Sequence, residues 1–207
     1  SKGAAIGQLI AGGNMISSSA DAMLYKYYNQ PGRQNPRISF TAIFRGGVQS
    51  DWYCSKPVYD LLVSLKDPRI PYFYQPGSDA ASNEFIALGP VEVYTTKSAL
   101  VNMNLLKPEL PEVSFSYSEQ LLFEAEAIAR GFAPGGFDAA TAKMRAGVRE
   151  SMLTLGVTAA QTDAYVAGLP ALTATNFKTV LSQQQYLDLF MRPIEGWVQH
   201  RRSGAVG

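Results

Sequence analysis

Ser116-Tyr117-Ser118-Glu119-Gln120-Leu121-Leu122-Phe123-Glu124-Ala125-Glu126-Ala127-Ile128-Ala129-Arg130-Gly131 is the stretch on which the fold turns. Ser116 stands three residues ahead of Glu119, the capping-box spacing, in which hydroxyl and carboxylate each satisfy the other's orphan backbone N–H. Tyr117, Leu121, Ala125 and Ile128 recur at helical spacing, and Gly131 supplies a left-handed stop. The pattern continues downstream. Asp138 caps a second helix that carries Met144, Val148, Met152 and Leu155 on one face and ends at Gly156. Thr158 and Gln161 form a second capping box, opening a short helix that closes at Gly168. A fourth helix runs over residues 176–191, where Pro193 either kinks it or begins another through Trp197 to Arg202. Short glycine connections between such helices make antiparallel packed pairs.

Residues 1–115 read differently. They hold 9 of the 12 prolines and 14 of the 23 aromatic residues, and apolar runs alternate with turns such as Gln30-Pro31-Gly32 and Gln75-Pro76-Gly77. Residues 4–11 and 56–65 are expected as helices, the latter with Val58, Leu61, Leu62 and Leu65 on one face. Residues 37–44 alternate apolar side chains and read as an extended strand. A seam near Pro108 and Pro111 divides a loop-rich region, 1–115, from a helical one, 116–207.

Composition narrows the function. Charged residues make up 17% of the 207, low against a typical ~25%. Eighteen basic residues against 17 acidic leave +1, so no global field gathers nucleic acid or anionic lipid, and the balance suits a neutral partner or a local site. One cysteine, Cys54, allows no internal disulfide, and one histidine, His200, leaves no His-rich zinc site. No apolar run approaches the ~20 residues of a membrane span, and the opening residues do not read as a signal peptide.

Chemistry-bearing patterns are few. Glu119 is expected in the cap, while Glu124 and Glu126 point about 200° apart around one helix and do not converge on a substrate bond. Gly12-Gly13 and Gly135-Gly136 are turns without the spacing of a phosphate loop. No cofactor and no metal site is expected. His200-Arg201-Arg202 suits the last turn of a helix, where cations oppose the macrodipole, although it could also grip a phosphate or carboxylate.

The aromatics offer more. Tyr25, Tyr27 and Tyr28 precede a Pro-Gly turn, Trp52 and Tyr53 follow Gly46-Gly47, and Tyr72-Phe73-Tyr74 precedes a second Pro-Gly turn. A sugar ring shows C–H groups on a face and hydroxyls at its edge, so it stacks on an exposed aromatic while neighbouring polar groups take the hydroxyls. Tyr25, Tyr28, Asn29, Trp52, Tyr72 and Tyr74 are the candidate ligand-binding residues, with Arg33, Asn35 and Asp51 as further hydroxyl partners. The alternative is that these rings are the core of the loop-rich region.

Several strings resemble the SusD/RagB family. The segment from Ser114 to Gly131 resembles its helix centred on Ala-Glu-Ala, and Ala146-Gly147-Val148-Arg149-Glu150-Ser151-Met152 its following helix. Gln183-Gln184-Gln185-Tyr186-Leu187-Asp188-Leu189-Phe190-Met191 and Glu195-Gly196-Trp197-Val198-Gln199-His200-Arg201-Arg202-Ser203-Gly204 resemble its closing segment, with Gln185 where lysine is common. Asn35-Pro36-Arg37 and Lys66-Asp67-Pro68-Arg69-Ile70-Pro71 match two upstream stretches in the right order.

The resemblance implies a mainly α fold, with packed helix pairs of tetratricopeptide-related type and a loop-rich, irregular region carrying little β. It implies a surface-exposed outer-membrane lipoprotein that captures oligosaccharide, or peptide, without catalysis and passes it to a SusC-like TonB-dependent transporter. Family members are about twice this length, so the chain is expected to be a C-terminal portion whose lipid anchor lies outside it; Cys54 is not the lipidated residue. Trp197 is expected to bury its indole between closing helices. Arg201 and Arg202 are expected to bond helix ends or carboxylates, with Glu124 and Glu126 as their partners or as ties to neighbouring helices. A purely structural lid on the transporter is the second reading, and a glycoside hydrolase the third.

Overall fold

The computed structural model describes residues 2–38 and 50–204. In chain order the elements are α1 (Lys2–Gly12), β1 (Met23–Tyr25), α2 (Lys56–Ser64), α3 (Ile70–Phe73), β2 (Tyr74–Gln75), β3 (Leu100–Val101) and β4 (Glu112–Phe115). They continue with α4 (Tyr117–Ala129), α5 (Gly136–Leu155), α6 (Ala159–Gly168), α7 (Phe177–Asp188) and α8 (Pro193–Ser203). The strands form two-stranded sheets, β1 with β4 and β2 with β3. The mainly helical fold with little β is the one expected. Two compact units result, Ser1–Met23 with Val113–Gly207, and Leu24–Glu112.

In the first unit α4 is the central helix and packs on α1, α5 and α7. Its side chains from Ser118 to Ile128 are buried except Phe123. Leu121, Leu122, Ala125, Met144, Val148, Met152, Leu181 and Leu187 form the apolar core. Each large aliphatic there contributes about 1.5–3 kcal/mol, which far outweighs differences in helix propensity. Close approach of α5 to α4 depends on Gly147, where a Cβ would stand 2.9 Å from Leu122 Cγ and 3.1 Å from the Ser118 carbonyl oxygen.

Helix ends follow local chemistry. The Ser116 hydroxyl accepts from the Glu119 N–H at 3.1 Å and the Thr158 hydroxyl from the Gln161 N–H at 3.3 Å. Gly156 ends α5 at φ 95°, in the left-handed region. Pro193 begins α8. Asp138 lies in the first turn of α5 and is not its cap, which is Gly135.

The other half of the first capping box is absent. The Glu119 carboxylate instead receives Arg192, from Nη1 at 2.6 Å and Nη2 at 3.1 Å. Both side chains are buried, and for a buried carboxylate a guanidinium fork is a stronger partner than one amide N–H.

A second charged hub joins α4, α7 and α8. Glu126 Oε1 accepts from Arg202 Nη1 at 2.6 Å and Arg130 Nε at 2.8 Å, and Oε2 from Arg202 Nη2 at 2.9 Å and Gln185 Nε2 at 3.0 Å. Gln199 bridges, donating to Gln185 Oε1 at 2.5 Å and accepting from Arg202 Nη2 at 2.6 Å. Burial alone would raise the Glu126 pKa, but the bonds from Arg202, Gln185 and Arg130 hold it at about 2. The neutral Gln185 thus serves the hub by donating and accepting at once.

One expectation for the closing motif is corrected, that for Trp197. Trp197 is 57% exposed, with the Arg201 guanidinium 4.7 Å from its ring centroid. It lies on the outward side of α8, opposite the inward Gly196 and Gln199. Glu126 pairs with Arg202, and Glu124 ties α4 to the neighbouring α5 through Lys143 at 2.5 Å, both within what was expected of them.

The second unit is built on turns. α2 ends in a Schellman arrangement: Asp67 N–H reaches the Leu62 carbonyl at 2.9 Å, Lys66 N–H reaches Val63 at 3.0 Å, and Lys66 itself sits at φ 51°. Asp67 then accepts from Arg69 through its backbone N–H, Nε and Nη2, at 3.0, 2.9 and 2.6 Å, with both side chains fully enclosed. The Asp-Pro-Arg string is therefore a buried ion pair folded over a helix end. Asn35-Pro36-Arg37 is also structural. Asn35 is 2% exposed, its Nδ2 donates to the Leu110 carbonyl at 2.8 Å, and Arg37 pairs with Glu112 at 2.6 Å. Asn35 Oδ1 also accepts from Arg37 N–H at 3.0 Å, which together with Pro36 starts a helix at residues 36–38. The strand expected from Arg37 does not begin there; residues 39–44 of that expectation lie outside the described residues. The core of this unit is Cys54, Leu62, Phe73, Tyr74, Ala99, Leu100, Val101 and Leu106.

Candidate functional site

The candidate rings fall in the second unit, and the backbone decides which of them face out. Tyr25 ends β1 at 64% exposure, and its ring meets Tyr27 edge-on with centroids 4.9 Å apart. Tyr28 begins a tight turn: Gln30 N–H reaches its carbonyl at 2.7 Å, and its own N–H reaches the Arg33 carbonyl at 2.9 Å. That turn sets the Arg33 guanidinium 4.3 Å from the Tyr28 centroid, so a cation covers one face of a ring that is still 46% exposed. Asn29 is exposed, with its side-chain oxygen accepting from Gln34 at 3.0 Å.

Trp52 is 41% exposed on a held backbone. Its N–H donates to the Ser50 hydroxyl at 2.9 Å, and its carbonyl accepts from Val101 N–H at 2.7 Å. Pinning on both sides leaves the indole little to lose when it takes a ligand face.

The third group behaves otherwise. Tyr72, in α3, is half-buried, and Tyr74 is only 1% exposed. Tyr74 opens β2, paired with Val101, and its side chain hydrogen-bonds Cys54. Tyr74 is therefore a core residue and presents no stacking face. Asn35 is likewise withdrawn as a hydroxyl partner, since its amide is spent on the Leu110 carbonyl. The Tyr53–Tyr94 pair, with centroids 4.6 Å apart, was not singled out in the sequence, where 41 positions separate the two.

Cys54 and the three glutamates of α4 are each enclosed or paired. Burial pushes the Cys54 thiol up to about 12, so it is not a nucleophile at neutral pH. Glu119, Glu124 and Glu126 each hold a cation. Among the described residues no three His, Cys, Asp or Glu side chains gather to hold a metal ion, and no helix is long and apolar enough to cross a membrane.

The first unit carries one concave feature of another kind. A cavity of about 240 Å³ is lined by Glu126, Arg130, Phe177, Lys178, Leu181, Ser182, Arg202 and Ser203. It lies beside the hub that fastens α8 to α4.

Packed helix pairs in one unit, and in the other short strands and turns that leave several aromatic rings exposed, define a mainly helical fold class. The chain belongs to the SusD-like family: the family model described as "Starch-binding associating with outer membrane" matches residues 2–205. Solved structures agree in fold. A chitin-binding protein is 23% identical at TM-score 0.72, covering 95% of this chain and 45% of its own. A SusD homologue from Bacteroides fragilis NCTC 9343 is 19% identical at TM-score 0.79, covering 98% of this chain and 49% of its own. An outer-membrane protein from Bacteroides vulgatus ATCC 8482, described as involved in nutrient binding, is 17% identical at TM-score 0.76, covering 98% and 50%. The chain thus spans about half the length of the structures it matches. Among curated proteins none matches.

Proposed function

We propose that this chain forms part of a non-catalytic glycan-capture protein at the outer-membrane surface. In this reading its ligand-facing part lies in the loop-rich unit, and Tyr25, Tyr28 and Trp52 are the stacking platforms. Tyr72 and Asn29 assist from the edge. The bound oligosaccharide is passed on, unaltered, to a SusC-like TonB-dependent transporter, and a lipid anchor outside this chain tethers the whole to the membrane.

The observation that carries the proposal is Trp52: a large apolar face left in water while its backbone is bonded on both sides. An indole on a fixed turn that keeps 41% of its surface in water has an apolar face to offer a sugar ring. The small net charge favours a neutral glycan, as do the starch-binding family and the similar chitin-binding protein. The enclosed Tyr74 is what favours the second reading, a lid with little or no small ligand of its own.

Calorimetry against soluble starch, chitin oligosaccharides and a peptide panel tests the proposal. Binding of a neutral glycan that weakens about tenfold in Trp52→Ala, the worth of one stacked ring, is the expected result. Glycan binding that Trp52→Ala, Tyr25→Ala and Tyr28→Ala all leave unchanged would refute it. So would cleavage of the glycan.

A further inference from the structure

The cavity beside the hub is not explained by glycan stacking. Three cations line it, Arg130, Lys178 and Arg202, against one carboxylate, Glu126, so two positive charges are in excess. Arg202 is engaged through all three nitrogens with Glu126, Gln185 and Gln199 and contributes its field to the cavity. Arg130 gives Nε and Nη2 to Glu126, which leaves its Nη1 without a partner among the described residues. Lys178 is exposed in the first turn of α7 and likewise has no partner there.

A cation in the first turn of a helix is opposed by the macrodipole, so an anion at this position would relieve both. Asn176, at the head of α7, makes no side-chain cap bond. One turn further on the same face lies Ser182, 6% exposed, lining the cavity, its hydroxyl without a partner among the described residues. The side chain is more than nine-tenths buried, and its hydroxyl opens on the cationic hollow, where it can bond a ligand oxygen.

We propose that this cavity is a binding site for a tetrahedral oxyanion, a sulfate or phosphate group, held by Arg130 Nη1, Lys178 Nζ and Ser182 Oγ. A dianion matches the two excess charges, and its oxygens point in directions that three separate donors can meet at once. The volume, about 240 Å³, equals the share of roughly eight water molecules, room for such a group and part of what carries it. The site is independent of the aromatic rings and of the function proposed for them.

The test is a ¹H–¹⁵N NMR titration of the full chain with sodium sulfate, inorganic phosphate and a sulfated monosaccharide. Sodium chloride and sodium glucuronate at equal ionic strength are the controls. Saturable shifts at Lys178, Ser182 and the Arg130 side chain with sulfate or phosphate, absent with chloride, are expected. Lys178→Gln should weaken binding about tenfold and Ser182→Ala about fivefold. Lys178 is exposed and Ser182→Ala removes only a hydroxyl, so both variants keep the wild-type spectrum elsewhere. Shifts that never saturate, that chloride or glucuronate reproduces, or that both variants leave unaltered would overturn the proposal. Binding of the sulfated sugar but not the free ions assigns the site to an ester on a glycan, and binding of the free ions alone assigns it to an inorganic anion.

Discussion

Replacing Arg202 with methionine isolates the hub, because the apolar stem is kept while the guanidinium is lost. Glu126 is 9% exposed, and its contacts from Arg202, at 2.6 and 2.9 Å, reach both carboxylate oxygens. Breaking a buried pair by removing one partner costs about 3–5 kcal/mol. Arg130 and Gln185 remain, and the Arg202 side chain is 41% exposed, so water replaces part of what is lost. The expected destabilisation at pH 7 is therefore about 2–3 kcal/mol, a fall in urea midpoint of about 1 M at a slope of ~2 kcal/mol per M. Urea is the denaturant required, since guanidinium chloride would screen the pair.

The pH dependence gives an independent check. Glu126 ordinarily titrates at 4.5 and is held at about 2 in the fold. A depressed carboxylate adds stability above its unfolded pKa and loses it as pH falls through the folded value, here between about pH 5 and pH 2, with about 3 kcal/mol at stake. Without Arg202 the carboxyl protonates more readily, so the gap between variant and wild type should close toward pH 2. Adding Glu126→Gln to Arg202→Met should recover most of the loss at pH 7, since no buried charge is then left uncompensated. A single variant as stable as wild type at pH 7, or a double variant no better than the single, would refute the reasoning.

Gly147→Ala should cost about 1–3 kcal/mol and lower Tm by roughly 2–4 °C per kcal/mol in a thermal melt, because the new Cβ meets Leu122 and the Ser118 carbonyl. Asp67→Ala leaves the buried Arg69 guanidinium without its carboxylate and should cost about 3–5 kcal/mol in urea unfolding, more than any exposed ion pair such as Lys56–Asp60. Cys54 should resist iodoacetamide at pH 8 in the native protein and react fully once unfolded, since its thiol is enclosed and pushed up to about 12; mass spectrometry reads the difference.

What the sequence made legible were features whose cause lies within one helical turn. Ser116 and Thr158 bond N–H groups three residues on, Gly156 turns left-handed where no other residue does so cheaply, and Pro193 begins a helix because its missing N–H is wanted nowhere else. Geometry across helices was not legible from spacing: Arg192 with Glu119 was not foreseen, and Arg202 with Glu126 was expected only from the family resemblance of the closing motif. Arg192 reaches Glu119 across 73 residues, and Arg202 reaches Glu126 across 76, so each partner is chosen by helix packing and not by spacing. Gln120 illustrates the same point. Its amide both accepts from the Ile16 N–H and donates to the Ile16 carbonyl, each at 2.8 Å, and no local pattern marks it.

The aromatic site shows where local reading stops. Tyr28 and Tyr74 stand in nearly the same context, an aromatic cluster running into Gln-Pro-Gly, yet one is 46% exposed and the other 1%. A Pro-Gly turn fixes the reversal of the chain but not the face on which the preceding ring falls. For Tyr74 that face is set by antiparallel pairing with Val101, which turns its side chain toward Cys54 in the core. For Tyr28 the turn closes on itself through Arg33, and no strand takes the ring inward. Exposure of a loop aromatic is thus decided by what its backbone pairs with. By that criterion Trp52 is the exception among residues paired to β3: its carbonyl joins Val101 while its indole stays in solvent. A position whose backbone is enlisted in the fold and whose apolar side chain is left out of it is the one where a stacking role costs the fold least.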